Sequence, residues 1–175
     1  MQNYKIIGSG SSGNAVVYFN EVLVDVGLPF VRIEPYLSSI KFILLTHSHG
    51  DHCMLHTMNM IASRRPDIIW LVPGYLMNKV AEIRLKNIIE TQAGKKYRVG
   101  PYKIELIELY HDVPNVGYKI ICNDYKIIHA TDTGKIDHIK AKNFDLYAIE
   151  HNYDEDIYDR IIKKMENDLY AHELR

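Results

Sequence analysis

At 175 residues the chain is long enough to bury one sizeable core and short for two, and its 47% apolar and 25% charged residues match an ordinary globular domain. A net charge of −1 argues against a protein that coats nucleic acid by bulk electrostatics. No apolar run reaches the roughly 18 to 20 residues of a membrane span, MQNYKIIGSGSSGN lacks the basic and apolar regions of a secretion signal, and the two cysteines, Cys53 and Cys122, suit free thiols in a reducing cytoplasm.

β-Branched and aromatic runs punctuated by Gly and Asn predict a strand meander at 3–8 (NYKIIG), 14–20 (NAVVYFN) and 21–27 (EVLVDVG). Pro29 opens a short helix over 29–37, whose end Pro35 disturbs. KFILLT (41–46) reads as a buried strand. Leu55, Met58 and Ala62 then recur at helical intervals over 54–65, and past Pro66 the run IIWLV (68–72) is again a strand. Pro73 and Gly74 turn the chain into a second helix over 75–85. GKKYR (94–98) is a basic patch that could guide a nucleic-acid strand, but a solvated turn accounts for it better. Four strands follow at 101–111, 116–123, 125–131 and 144–152, the middle pair joined by a tight Asn123-Asp124 turn. From Asp154, an acidic start and Ile157, Ile161, Met165 and Leu169 four apart predict a terminal amphipathic helix. No repeat, low-complexity tract or linker divides the chain, so residues 1–175 read as a single α/β domain of sheets covered by helices.

The chemistry concentrates behind the strand at 41–46. His47, His49, Asp51 and His52 form H-x-H-x-D-H, with imidazole and carboxylate donors that suit zinc, or manganese or iron. Residues two apart on an extended backbone face one way, so His47 and His49 can share a metal, and Gly50 would let the chain turn to bring Asp51 and His52 alongside. A polar loop with Asp51 capping the helix that begins near Met54 is the alternative; donor chemistry directly behind a buried strand favours the metal. His56, one helical turn on, fits a surface or supporting position, and Cys53 a buried one.

With H-x-H-x-D-H after a strand, the sequence resembles the metallo-β-lactamase-fold hydrolases, and GSGSSGNAVVYFNEVLVDVGLPF (8–30) looks like the opening hairpin of their small WalJ-like branch of bacteria and phages. The resemblance implies an αββα sandwich, two mixed sheets with helices on the outer faces, shortened here at the C-terminus. It implies that Asp25 supports the metal loop, that His111 in LYHDVPN joins His47 and His49 on a first ion, and that Asp132 in HATDTG bridges to a second ion held by Asp51 and His52. A carboxylate suits that shared place because its two oxygens can span ions about 3.5 to 4 Å apart. GSGSSGN lacks the Lys-Ser/Thr of a phosphate-binding loop and reads as a tight turn near the site. His129 falls within a strand and fits the interior; His138 has no motif around it.

The family's last histidine, in a His-Leu-Ser-like segment, is not present. An incomplete or weakened second site and completion by His151, in EHNYD, both stay open, with His172 near the end a further candidate. The reaction implied is hydrolysis by a metal-activated water, with Asp51 orienting that water and one or two Zn2+ ions bound. The implied substrate is a phosphodiester in nucleic acid or a nucleotide, in the cytoplasm and away from membranes. The competing reading is a degenerate metal-binding module of the same fold, without turnover, that binds a nucleotide or protein partner.

Overall fold

The computed structural model describes residues 3–149 of the chain. Within it, β1 (Tyr4–Gly8), β2 (Ala15–Tyr18) and β3 (Val22–Val24) form an antiparallel meander. β3 then pairs in parallel with β4 (Phe42–Leu44), β4 with β5 (Ile69–Pro73) and β5 with β6 (Asn87–Thr91), giving a mixed sheet in simple chain order. Parallel neighbours need crossovers, and helices supply them. These are α1 (Phe30–Ile33) with a 3-10 turn at Glu34–Tyr36, α2 (Leu55–Arg64), and a 3-10 turn at Gly74–Leu76 leading into α3 (Met77–Val80).

The second sheet holds β7 (Lys96–Val99), β8 (Tyr102–Leu109), β9 (Asn115–Cys122), β10 (Tyr125–Ala130) and β11 (Leu146–Ile149) in the order β11-β10-β9-β8-β7. It is antiparallel except for the parallel β10–β11 pair. Asn123 turns the β9–β10 hairpin at a φ of 52°, a conformation its short polar side chain tolerates.

Side chains alternate across each strand, so adjacent residues feed two different cores. Ile43 and Trp70 face the helices with Ile33, Met58, Ile61 and Leu76. Leu44 and Leu71 face the other sheet, against Ile104, Leu106, Tyr118 and Ile120. This is the expected α/β architecture of two mixed sheets. The helical layer observed covers the first sheet; the helix expected from Asp154, like the end of the 144–152 strand, lies outside the described residues. No helix among the described residues is long and apolar enough to cross a membrane.

Three local expectations are corrected. The helix expected over 75–85 ends at Val80, because beyond Ala81 the chain leaves the helical path while Ile83 and Leu85 still pack against the core. Residues 87–91 form β6, which pairs through its backbone with β5. The basic patch at 94–98 is mostly strand rather than turn: β7 pairs with β8, and Lys96 reaches Glu105 at 3.4 Å.

His129 sits in β10 with its ring in the interior, 3% exposed, Nδ1 2.8 Å from the Tyr18 hydroxyl. Burial pushes this imidazole down to about 4. The folded state therefore holds it neutral while the unfolded chain takes up a proton below about pH 6.5. Its contribution to stability is complete above that pH and is lost as pH falls from about 6.5 towards 4. We expect urea unfolding of metal-free protein to show wild type losing about 2 kcal/mol more than His129→Gln between pH 7 and pH 5. Equal losses in the two proteins would place the acid sensitivity elsewhere.

Candidate metal centre

The loop after β4 is held by backbone before any side chain acts. The carbonyl of Asp51 accepts the Asn14 N–H at 2.7 Å, the carbonyl of His52 accepts the Val26 N–H at 2.8 Å, and the Met54 N–H donates to the carbonyl of Val26 at 2.9 Å. Gly27 permits this approach: a Cβ there would stand 1.6 Å from the Asp51 carbonyl oxygen. Gly50 has open space around its Cα and no positive φ, so the position that demands glycine is 27 and not, as the motif alone suggests, 50. Gly10 and Asn14 close the GSGSSGN turn, with Asn14 Oδ1 accepting the Gly10 N–H at 2.9 Å.

Asp25, at a φ of 62° just past β3, is the hub beneath the loop. Its carboxylate accepts the Thr46 N–H and the Thr46 hydroxyl, each at 2.8 Å, and stands 2.7 Å from His52 Nδ1. With its proton committed to Asp25, the Thr46 hydroxyl accepts from His47 Nδ1, 2.9 Å away. Both imidazoles are thus oriented with Nδ1–H toward this network and Nε2 turned inward; His47 presents a lone pair there, and His52 does so once it gives up its Nε2 proton.

Two groups of donor atoms converge there, each with all atoms within 4.8 Å of one another: His47, His49 and His111; and His47, His52 and Asp132. Asp132, at a φ of 53° beyond β10, puts Oδ2 2.6 Å from His52 Nε2 and 3.4 Å from His47 Nε2. His49 Nδ1 lies 3.3 Å from His111 Nε2. Burial opposes charge on His52, but hydrogen bonds to Asp132 and Asp25 and their charges outweigh it and push its pKa up to about 10. Burial, reinforced by charged His52, pushes His47 down to about 4. Two carboxylates that hold a proton so firmly on the imidazole between them hold other cations by the same field.

The donor set also fits a divalent ion by a second criterion. His47 Nε2 is fully buried and has no hydrogen-bond partner among the described residues. A neutral imidazole nitrogen with an inward lone pair and no donor is satisfied by a cation.

The expected residues fall as follows. His47, His49, His52, His111 and Asp132 come together, and Asp25 lies beneath them. Asp51 stands at the margin, one-third exposed, its Oδ2 3.8 Å from His52 Nε2 and outside both groups. His151 and His172 lie outside the described residues. His56 is exposed on α2, and His138 binds the Glu108 carbonyl at 2.8 Å away from both groups. Cys53 is buried, its thiol pushed up to about 11 by desolvation.

Sequence reasoning missed three neighbours. Asn14 Nδ2 lies 2.7 Å from His52 Nε2. Thr46 relays Asp25 to His47. Asp112 bridges the histidines of the first group, 3.0 Å from His111 and 3.4 Å from His49. Only Asp112, adjacent to His111, carried a signal in the sequence.

The profile of the Beta-lactamase superfamily domain matches residues 20–172. No curated protein gives a significant match. Similar solved structures include the metallo-beta-lactamase fold protein YhfI from Bacillus subtilis, with a TM-score of 0.59 and 14% identity over 73% of this chain. They also include the short form of human tRNase Z, with a TM-score of 0.57 and 16% identity over 72% of this chain and 67% of that one. A mutant of a Cronobacter sakazakii metallo-beta-lactamase with a HARLDQ motif has a TM-score of 0.62 and 12% identity, over 94% of this chain and 81% of that one. At these identities the likeness is one of fold, and the chain spans 62% of the length of YhfI.

Proposed function

The chain belongs to the Beta-lactamase superfamily domain family, and from that premise we propose that it is a metal-dependent hydrolase acting on a phosphodiester. The observation that carries the reading is the pair of three-donor groups meeting at His47, whose inward nitrogen is buried without a hydrogen-bond partner among the described residues. In this reading His47, His49, His111 and Asp132 hold a first zinc ion. Asp51, His52 and Asp132 hold a second, with His151 as its remaining ligand. The glycine- and serine-rich turn and LVDVG strand support a reading of the chain as a relative of the WalJ-like branch of the family.

When bound, such ions supply a nucleophile from water at neutral pH and neutralise charge on the ester under attack. The chain does the positioning. Asp25 and Thr46 fix the tautomers and orientations of His52 and His47. Asp51, partly exposed at the margin, is placed to accept a proton from water and aim its lone pair. The phosphodiester preference also draws on the short form of human tRNase Z, a structural neighbour whose name implies a nucleic-acid substrate.

The test is hydrolysis of bis(4-nitrophenyl) phosphate by purified protein with zinc or manganese, beside a chromogenic β-lactam. We expect nitrophenolate release that chelator abolishes and metal restores, with the lactam left intact. Turnover of the lactam alone would overturn the substrate class. Metal binding with no turnover of either would leave the non-catalytic module as the correct reading.

A further inference from the structure

Beside the centre a cleft of about 700 Å³ lies between the end of β6 and the loop joining β8 to β9. It is built onto the centre. The Tyr75 hydroxyl donates to the carbonyl of Thr46, next to His47, and Asn115 Nδ2 donates to the carbonyls of Thr131 and Asp132 at 3.0 and 2.9 Å. Across it, the Tyr97 hydroxyl accepts the Gln92 N–H at 2.9 Å. Both tyrosines are thus tied down by their hydroxyls, which reduces the ordering that binding requires.

The charge lining the cleft is one-sided. Asn115 Nδ2 is committed twice, which identifies Oδ1 as its remaining atom; that acceptor is buried and has no hydrogen-bond partner among the described residues. Thr91 Oγ1 is in the same condition, and each residue is 2% exposed. Together with His47 Nε2 these are the buried side-chain atoms without a hydrogen-bond partner among the described residues, and two of the three belong to residues lining this one cleft. Buried polar atoms are ordinarily satisfied, so such a pair marks a place that a ligand completes. Glu90 and Glu108 add carboxylates, and no Lys, Arg or His is among the described residues lining the cleft. An anion is repelled there, while a group presenting N–H donors finds acceptors on several sides.

We propose that this cleft is a subsite for a planar ring bearing an amino group, as in adenine or cytosine, attached to the phosphodiester presented to the centre. The attachment rests on the proposed function; recognition of the ring does not need metal or turnover. The volume suits a nucleoside-sized group, and Tyr75 and Tyr97 supply aromatic surface for it. The two carboxylates keep further phosphates out, so the substrate brings a base into the cleft and does not thread a polyanionic strand along it.

The experiment is a titration of metal-free protein with adenosine, cytidine and uridine, which carry no phosphate, followed by 1H–15N NMR. Adenosine and cytidine should shift the amides of Thr91, Tyr97 and Asn115 and bind about tenfold more tightly than uridine, which presents a carbonyl where cytidine presents an amino group. Thr91→Val, which keeps shape and loses the hydroxyl, should weaken cytidine binding by about tenfold. Shifts confined to other regions, equal binding of cytidine and uridine, or displacement of both by spermidine would overturn the subsite. Hydrolysis without nucleoside binding would refute the subsite and keep the proposed activity; nucleoside binding without hydrolysis would do the reverse.

Discussion

Replacing His47 by alanine is expected to remove at least one metal ion per chain and to lower kcat/KM for the proposed phosphodiester hydrolysis by about 10^3-fold or more. His47 is the residue common to both donor groups, and without it each retains two of its three members. Its partner Thr46 stays anchored to Asp25 through its own N–H and hydroxyl, so the loop retains its backbone path. Elemental analysis of protein purified without chelator, with circular dichroism to confirm folding, reads the outcome. His56→Ala, a histidine exposed on α2, is the matched control and should keep the wild-type metal content. If His47→Ala kept it too, the donor groups would not be the metal centre.

Gly27→Ala is the second large effect, and it acts through backbone alone. The added methyl would stand 1.6 Å from the Asp51 carbonyl oxygen, 2.2 Å from its carbonyl carbon and 2.8 Å from the Asn14 nitrogen. None of these atoms can rotate away, so the motif loop or the strand end must move. We expect a loss of about 3 kcal/mol or more in urea unfolding, with metal affinity falling alongside because Asp51 and His52 ride on the displaced segment. Gly50→Ala meets nothing within 4 Å and should change stability by less than about 0.5 kcal/mol. Comparable losses at the two positions would refute the close approach at Gly27.

These contrasts show what a linear reading can and cannot recover. β4 and its histidines were legible because apolar run and donors are contiguous: period two and ligand chemistry both act over a few residues. His111 and Asp132 are isolated in the chain, and only a resemblance singled them out. Asn14 and Thr46 have ordinary local sequence, and their roles exist because β2, β3 and β4 are neighbours in one sheet. β6 and β7 escaped because they are short and half-exposed: NIIET carries little alternation, and KYRV alternates over four residues only, inside a basic run, so both rely on β5 and β8 for definition. Over 75–85 the helical spacing of apolar residues was real, but Ile83 and Leu85 reach the core from an irregular path.

The stitching of the motif loop to residues 14, 26 and 27 also bears on where the unit can be cut. The family profile begins at residue 20, inside the turn after β2. A protein trimmed to that border would lose Asn14, and with it the donor that holds the Asp51 carbonyl. It would also strip β3 of its antiparallel partner, presenting the backbone edge of Val22, Leu23 and Val24, all fully buried in the intact chain. An uncovered apolar edge recruits strands from other molecules. Trimming would therefore cost solubility and the metal loop at once, and the glycine- and serine-rich turn ahead of the border is an integral wall of the domain.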